Sequence, residues 1–94
     1  MDINKNRIIL PSIADSSYAY QLFELLTKSF KKNEPIEIDA SSVEKISGIT
    51  FQLILSAVKS YKQINEPFFF ITPSDYFLEV CDLLMGNQNI LIKE

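Results

Sequence analysis

The stretch Ile36-Glu37-Ile38-Asp39-Ala40-Ser41-Ser42-Val43-Glu44-Lys45-Ile46-Ser47-Gly48-Ile49-Thr50-Phe51-Gln52 changes its hydrophobic period midway. Residues 36–40 alternate apolar and polar with period two, as a strand with one covered face does. The alternation breaks at Ser41-Ser42. Beyond the break, Ile46, Thr50, Leu53, Ala57, Tyr61 and Ile64 fall on one side of a helix, and Lys59, Lys62 and Gln63 fall mostly on the other. This helix is expected to start near Ser47. A strand that passes through a loop into an amphipathic helix is the first half of a strand-helix-strand crossover, and the flanking sequence supplies the rest.

On the N-terminal side, residues 7–10 form a short apolar run stopped by Pro11, which cannot donate to a ladder and suits the end of an edge strand. Tyr18, Leu22, Leu26 and Phe30 then recur at every fourth position with Ala19 and Phe23 beside them, predicting a helix that Asp15 or Ser16 caps. Lys28, Lys31 and Lys32 complement its negative C-terminal end, and Asn33-Glu34-Pro35 ends it. On the C-terminal side, Pro67 opens Phe68-Phe69-Phe70-Ile71, too short for a helix and apolar on both faces, hence a central strand buried from two sides. Ser74 caps a third helix with Asp75 in its first turn and an inward stripe of Phe77, Val80, Cys81 and Leu84, stopped by Gly86. Ile90-Leu91-Ile92 adds a last short strand. The expected fold is α/β, a mixed sheet of about four strands with three main helices packed on it. Residues 1–94 read as one domain, of which 1–6 are a frayed terminus.

The composition narrows the chemistry. The 94 residues are 47% hydrophobic, 22% charged and 12% aromatic, enough for one core without staples. The chain has no His, and Cys81 is its one cysteine, which removes His/Cys zinc sites, haem ligation by His, Ser-His-Asp triads and Cys-His dyads. Five Asp and seven Glu show no spacing that isolates a pair from water, so they read as a solvated surface. Only Gly48 and Gly86 are available, too few for a Gly-rich phosphate loop of either common type. No catalytic residue, metal or cofactor is expected. The net charge of −3 and the scattered Lys and Arg argue against nucleic acid. No apolar run is long enough for a membrane span, and a lone thiol, expected buried and inert, fits a reducing cytoplasm.

The loop from Asp39 to Thr50 is the most informative stretch for function. A helix N-terminus offers free N–H groups and partial positive charge, so a phosphate or acidic group is favoured there, and Ser47 and Thr50 are hydroxyls where phosphorylation would be felt. The same residues also fit purely local roles, with Ser47 as an N-cap, Gly48 relieving crowding and Thr50 packing.

The segment 36–55, the Pro67-Phe68-Phe69-Phe70 strand, and Pro73-Ser74 before a helix ending in Leu-Leu-x-Gly together resemble the STAS domain, the fold of anti-sigma-factor antagonists. The likeness covers nearly the whole chain. In that family a strand ending in Asp-x-Ser, a Val, and an Ile-Asp-Ser/Thr-x-Gly-Leu segment lead into the second helix; Asp39, Ser41, Val43 and Ile46 match. Aligned on Ile46 and on Gln52-Leu53-Ile54-Leu55, the family's Asp falls on Ser47, its phosphorylatable Ser or Thr on Gly48, and its Gly on Thr50. Leu10, Pro11, Asp15, Asp39, Ala40, Ser41 and Val43 also resemble small single-domain STAS proteins of bacterial chemotaxis and two-component systems, and the cytoplasmic STAS subunit of lipid-transport ABC systems.

The resemblance implies a non-catalytic regulatory module. Its protein partner would be a signalling kinase, an anti-sigma factor or a transporter ATPase, and homodimerisation stays open. The docking residues it implies are Asp39, Ser41, Ser42, Glu44, Lys45, Ser47, Gly48 and Thr50, with Ser47 and Thr50 as candidate phosphorylation sites and Gly48 in the usual acceptor's place.

Overall fold

A computed structural model of the chain describes residues 6–86 and 90–93. Its strands are β1 (Arg7–Ile9), β2 (Ile13–Ala14), β3 (Ile36–Asp39), β4 (Lys45–Ile46), β5 (Phe68–Ile71) and β6 (Leu91–Lys93), and its helices are α1 (Ala19–Phe30), α2 (Gly48–Gln63) and α3 (Asp75–Met85). Four strands form the main sheet in the order β1-β3-β5-β6, every neighbouring pair parallel. Four strands with three helices are what the sequence pattern predicts. The short parallel pair β2-β4 stands apart and lies beyond the C-terminal ends of β1 and β3.

The strand order follows chain order, so each crossover steps the same way across the sheet. Crossovers of one hand stepping in one direction put all their helices on one face. The core bears this out: Ile8, Ile36, Ile38, Phe68 and Phe70 from the sheet pack in one cluster with Leu22 and Leu26 of α1, Phe51, Ile54 and Tyr61 of α2, and Phe77, Cys81 and Met85 of α3. A chain of edge-on and tilted ring contacts at 5.4–5.9 Å runs Phe30-Tyr61-Phe68-Phe70-Phe77-Phe51, joining all three helices to β5.

Several details differ from the sequence pattern. The first helix starts later than its period implies: a 3-10 turn, Ser16–Tyr18, precedes Ala19, and Asp15 makes no side-chain cap; its Oδ1 accepts the Ser17 hydroxyl at 2.6 Å. The inward residues of α2 are Thr50, Phe51, Ile54 and Tyr61, with Leu53 and Ala57 only half-buried, since its apolar residues span a wide arc and the sheet takes the Phe51 side. In α3 the stripe is Phe77, Cys81 and Met85, and Leu84 is exposed. β5 is an inner strand, yet Phe69 and Ile71 are half-buried, because the helices cover only the face that holds Phe68 and Phe70. β3 is the more buried of the two inner strands.

On the sheet's other face, Glu37 is 3% exposed. Its Oε1 accepts from Arg7 Nε at 3.0 Å and Nη2 at 2.7 Å, and its Oε2 accepts from Lys93 Nζ at 3.0 Å. The Lys93 ammonium also sits 4.4 Å from the centre of the Phe69 ring. One carboxylate thus ties β1, β3 and β6 together across β5. Asn6, expected in the frayed terminus, is buried instead, and its amide donates to the Ser29 carbonyl at 3.5 Å.

Candidate functional site

In parallel sheets the loops that follow the strands gather at the strands' C-terminal ends. Here the two loops after β1 and β3 are fastened to each other by β2-β4. The Ser12 carbonyl accepts from Glu44 N at 2.7 Å and Lys45 N at 3.1 Å, and the Ala14 carbonyl accepts from Ser47 N at 3.0 Å. From the other side, the start of α3 holds the same loop. Ser74 Oγ donates to the Val43 carbonyl at 2.6 Å, Ser74 N donates to the Ala40 carbonyl at 3.0 Å, and Tyr76 Oη accepts from Ile46 N at 3.1 Å. Val43 is buried beneath this framework.

At the start of α2, Ser47 is the N-cap: its Oγ accepts from Thr50 N at 3.2 Å. The same hydroxyl donates to Thr50 Oγ1 at 2.8 Å, and Thr50 Oγ1 donates to the Asp15 carbonyl at 2.8 Å. That carbonyl also accepts from Tyr18 N at 3.1 Å. The relay Ser47-Thr50-Asp15 therefore joins the cap of α2 to the segment before α1. Nearby, Ser17 donates to the Asp15 carboxylate and holds it below the ordinary carboxylate range.

The residues singled out in the sequence divide into two sets. Asp39 is half-buried and its Oδ1 accepts from Ser41 N at 3.0 Å and Ser41 Oγ at 2.7 Å, a local turn that fixes the loop's first bend. Ser41, Ser42, Glu44, Lys45 and Gly48 are exposed, and a Cβ placed on Gly48 would meet nothing within 4 Å. Ser47 is half-buried. Thr50 is 0% exposed and leaves the surface set. It is the first inward residue of α2, and its hydroxyl is spent on two internal bonds, so neither docking nor a kinase reaches it in the folded chain.

Ile13 and Ile49, which sequence reasoning passed over, are 53% and 59% exposed at this end of the sheet. Ile13 faces outward from the two-residue β2, and Ile49 lies on the side of α2 away from the buried Phe51, a phase that an apolar residue at the second helical position does not reveal. Tyr76 and Ser74 were also missed as parts of the loop's support, because their partners lie 30 and 31 residues away.

Cys81 is buried in α3, and burial pushes its thiol up to about 11. Among the described residues no cluster of His, Cys, Asp and Glu could hold a metal ion, and no helix is long and apolar enough to cross a membrane.

No protein-family model matches the chain, and no curated protein matches it. Among solved structures, it is similar to a candidate anti-sigma factor antagonist from Thermotoga maritima, with a TM-score of 0.77 and 19% identity over 94% of this chain and 79% of that one. The chain therefore has the fold of anti-sigma-factor antagonists, the STAS fold.

Proposed function

We propose that the chain is a non-catalytic regulatory module that docks on a protein partner through the loop 39–50 and the first turn of α2. The observation that carries this is the contrast between backbone and side chains in that loop. Its backbone is held from both sides by β2 and by the start of α3, while Ser41, Ser42, Glu44, Lys45, Gly48 and Ile49 stand in solvent. A backbone already held in place loses little further entropy on binding. The likeness to a candidate anti-sigma factor antagonist supports a protein as the partner.

The docking set is Asp39, Ser41, Ser42, Glu44, Lys45, Ser47 and Gly48, joined by Ile13 and Ile49. Control by phosphorylation is disfavoured: Gly48 has no hydroxyl at the position the resemblance assigns to the acceptor, Thr50 is enclosed, and the half-buried Ser47 hydroxyl is engaged as the α2 cap, accepting from Thr50 N and donating to Thr50 Oγ1. The setting that the resemblance favours is the bacterial cytoplasm, in a signalling system such as chemotaxis.

The test uses the tagged chain in its own host with Gly48→Arg and, as a distant control, Leu83→Ser on the last turn of α3. The Cβ of Gly48→Arg meets nothing within 4 Å, so the variant is expected to keep the parent's circular dichroism. A protein recovered by the parent chain and the control but lost from Gly48→Arg is expected, and intact-mass measurement should find no phosphate. Recovery unchanged by Gly48→Arg refutes the docking surface. A recovered transporter ATPase, in place of a kinase or anti-sigma factor, assigns the chain to the transport branch of the resemblance.

A further inference from the structure

We propose that β6 is a self-association edge: two copies of the chain pair β6 with β6, antiparallel about a twofold axis at Ile92, and so join their sheets into one. The direction of the backbone groups carries this. The Lys93 carbonyl accepts from Thr72 N at 2.7 Å, so Lys93 turns its backbone groups toward β5. Backbone direction alternates along a strand, so Leu91 also faces β5, whereas the N–H and C=O of Ile92 point away from the sheet. Among the described residues no strand pairs with that side.

A residue whose donor and acceptor both face outward is its own complement under a twofold axis. With Ile92 opposite Ile92 of the second copy, each N–H meets the other's C=O, which is the hydrogen-bonded register of an antiparallel pair. The side chains agree with this register. Ile92, 44% exposed on the helix face, meets its own copy, and Leu91, 45% exposed on the other face, lies opposite Lys93. The two Lys93 side chains are then diagonal and not opposed, and each ammonium stays with its own Glu37.

The other edge of the sheet lacks this design. In β1, Leu10 N donates to the Asp39 carbonyl and the Asn6 carbonyl accepts from Glu37 N, so the even-numbered residues face β3 and the outward row is Arg7, Ile9 and Pro11. Pro11 has no N–H and Arg7 carries charge, two devices that blunt an edge. Within β6 the outward residue, Ile92, is neither a proline nor charged.

The test is sedimentation velocity and light scattering of the full chain over a range of concentrations, with Ile92→Pro and Ile92→Cys. Because the Ile92 N–H faces outward, proline there removes no bond to β5, and the variant should keep the parent's circular dichroism. The parent should reach twice its 10.8 kDa mass as concentration rises, and Ile92→Pro should raise the dimer's Kd at least tenfold. Ile92→Cys should form a disulfide-linked dimer on mild oxidation, since paired Cα atoms stand about 5.5 Å apart in this register. Leu91→Cys should not, because its own copy is diagonal, about 7–8 Å away. A parent that stays monomeric at every concentration overturns the proposal, as does a dimer equally strong in Ile92→Pro. If Ile92→Pro fails to fold, the cysteine pair decides: linkage of Leu91→Cys as fast as Ile92→Cys refutes the register.

Discussion

Thr50→Val isolates the relay at the start of α2, because valine keeps the shape of threonine and removes only its hydroxyl. Two bonds are lost, the one Thr50 donates to the Asp15 carbonyl and the one it accepts from Ser47, both 2.8 Å long. Neither former partner is orphaned. The Asp15 carbonyl keeps the Tyr18 N–H, and Ser47 Oγ is half-buried, still accepts from Thr50 N and reaches water. The cost is therefore the net worth of the bonds and not a full desolvation penalty, about 1–2 kcal/mol. Ser47→Ala loses the cap, worth about 1 kcal/mol, together with the same Ser47-Thr50 bond. Since both substitutions break that bond, the double variant should fall short of the sum by about 0.5–1 kcal/mol. Urea unfolding with an unchanged m-value measures all three, and for a domain of this size the Thr50→Val loss appears as a fall in Tm of roughly 4–16 °C. A Thr50→Val variant as stable as the parent, or strict additivity in the double variant, would refute the relay.

Three further outcomes follow from burial and open space. Phe70→Ala should cost about 3–5 kcal/mol as a core truncation, whereas Phe69→Ala, on the helix-free face, should cost markedly less; equal losses in urea unfolding would mean that the second face is covered as well. Gly48→Ala should stabilise the chain by about 0.4–1 kcal/mol, because the added methyl meets nothing and the unfolded chain loses freedom; a lower Tm would show that Gly48 needs its glycine conformation. Cys81 keeps its proton in the folded chain up to about 11, while the unfolded thiol loses it near 9.0. Its contribution to stability is therefore full below pH 9 and is lost as pH rises through 9 to 11, and Cys81→Ala should flatten that decline in urea titrations; parallel curves for the two chains would contradict it.

The elements with strong periods were legible in the sequence, and the contacts between them were not. The three helices show period 3.6 and β3 shows period two, β1, β5 and β6 show as short apolar runs, and Ser47, Ser74 and Gly86 mark helix ends by local chemistry alone. β2 and β4 have two residues each, too few to show any period, so the framework that positions the docking loop was invisible. Glu37 looked like a solvent residue of an alternating strand. Its burial depends on Arg7 and Lys93, which lie 30 and 56 residues away. Thr50 was open to two readings, a packed residue of the α2 stripe and a surface hydroxyl at a helix start, and the Asp15 segment that closes over it decides for the first.

The sheet's agreement between strand order and chain order bears on synthesis. Each strand after the first adds to the edge left by the one before it, and none must be inserted between two earlier strands. A chain emerging from the ribosome can therefore lay down its sheet one crossover at a time, each new helix closing over a surface already made. The exception is the Glu37 carboxylate, which meets Arg7 from this sheet's first strand in chain order and Lys93 from the strand made after all its other members. A nascent chain halted after α3 holds that carboxylate without Lys93, and the second cation arrives only when β6 leaves the exit tunnel and docks.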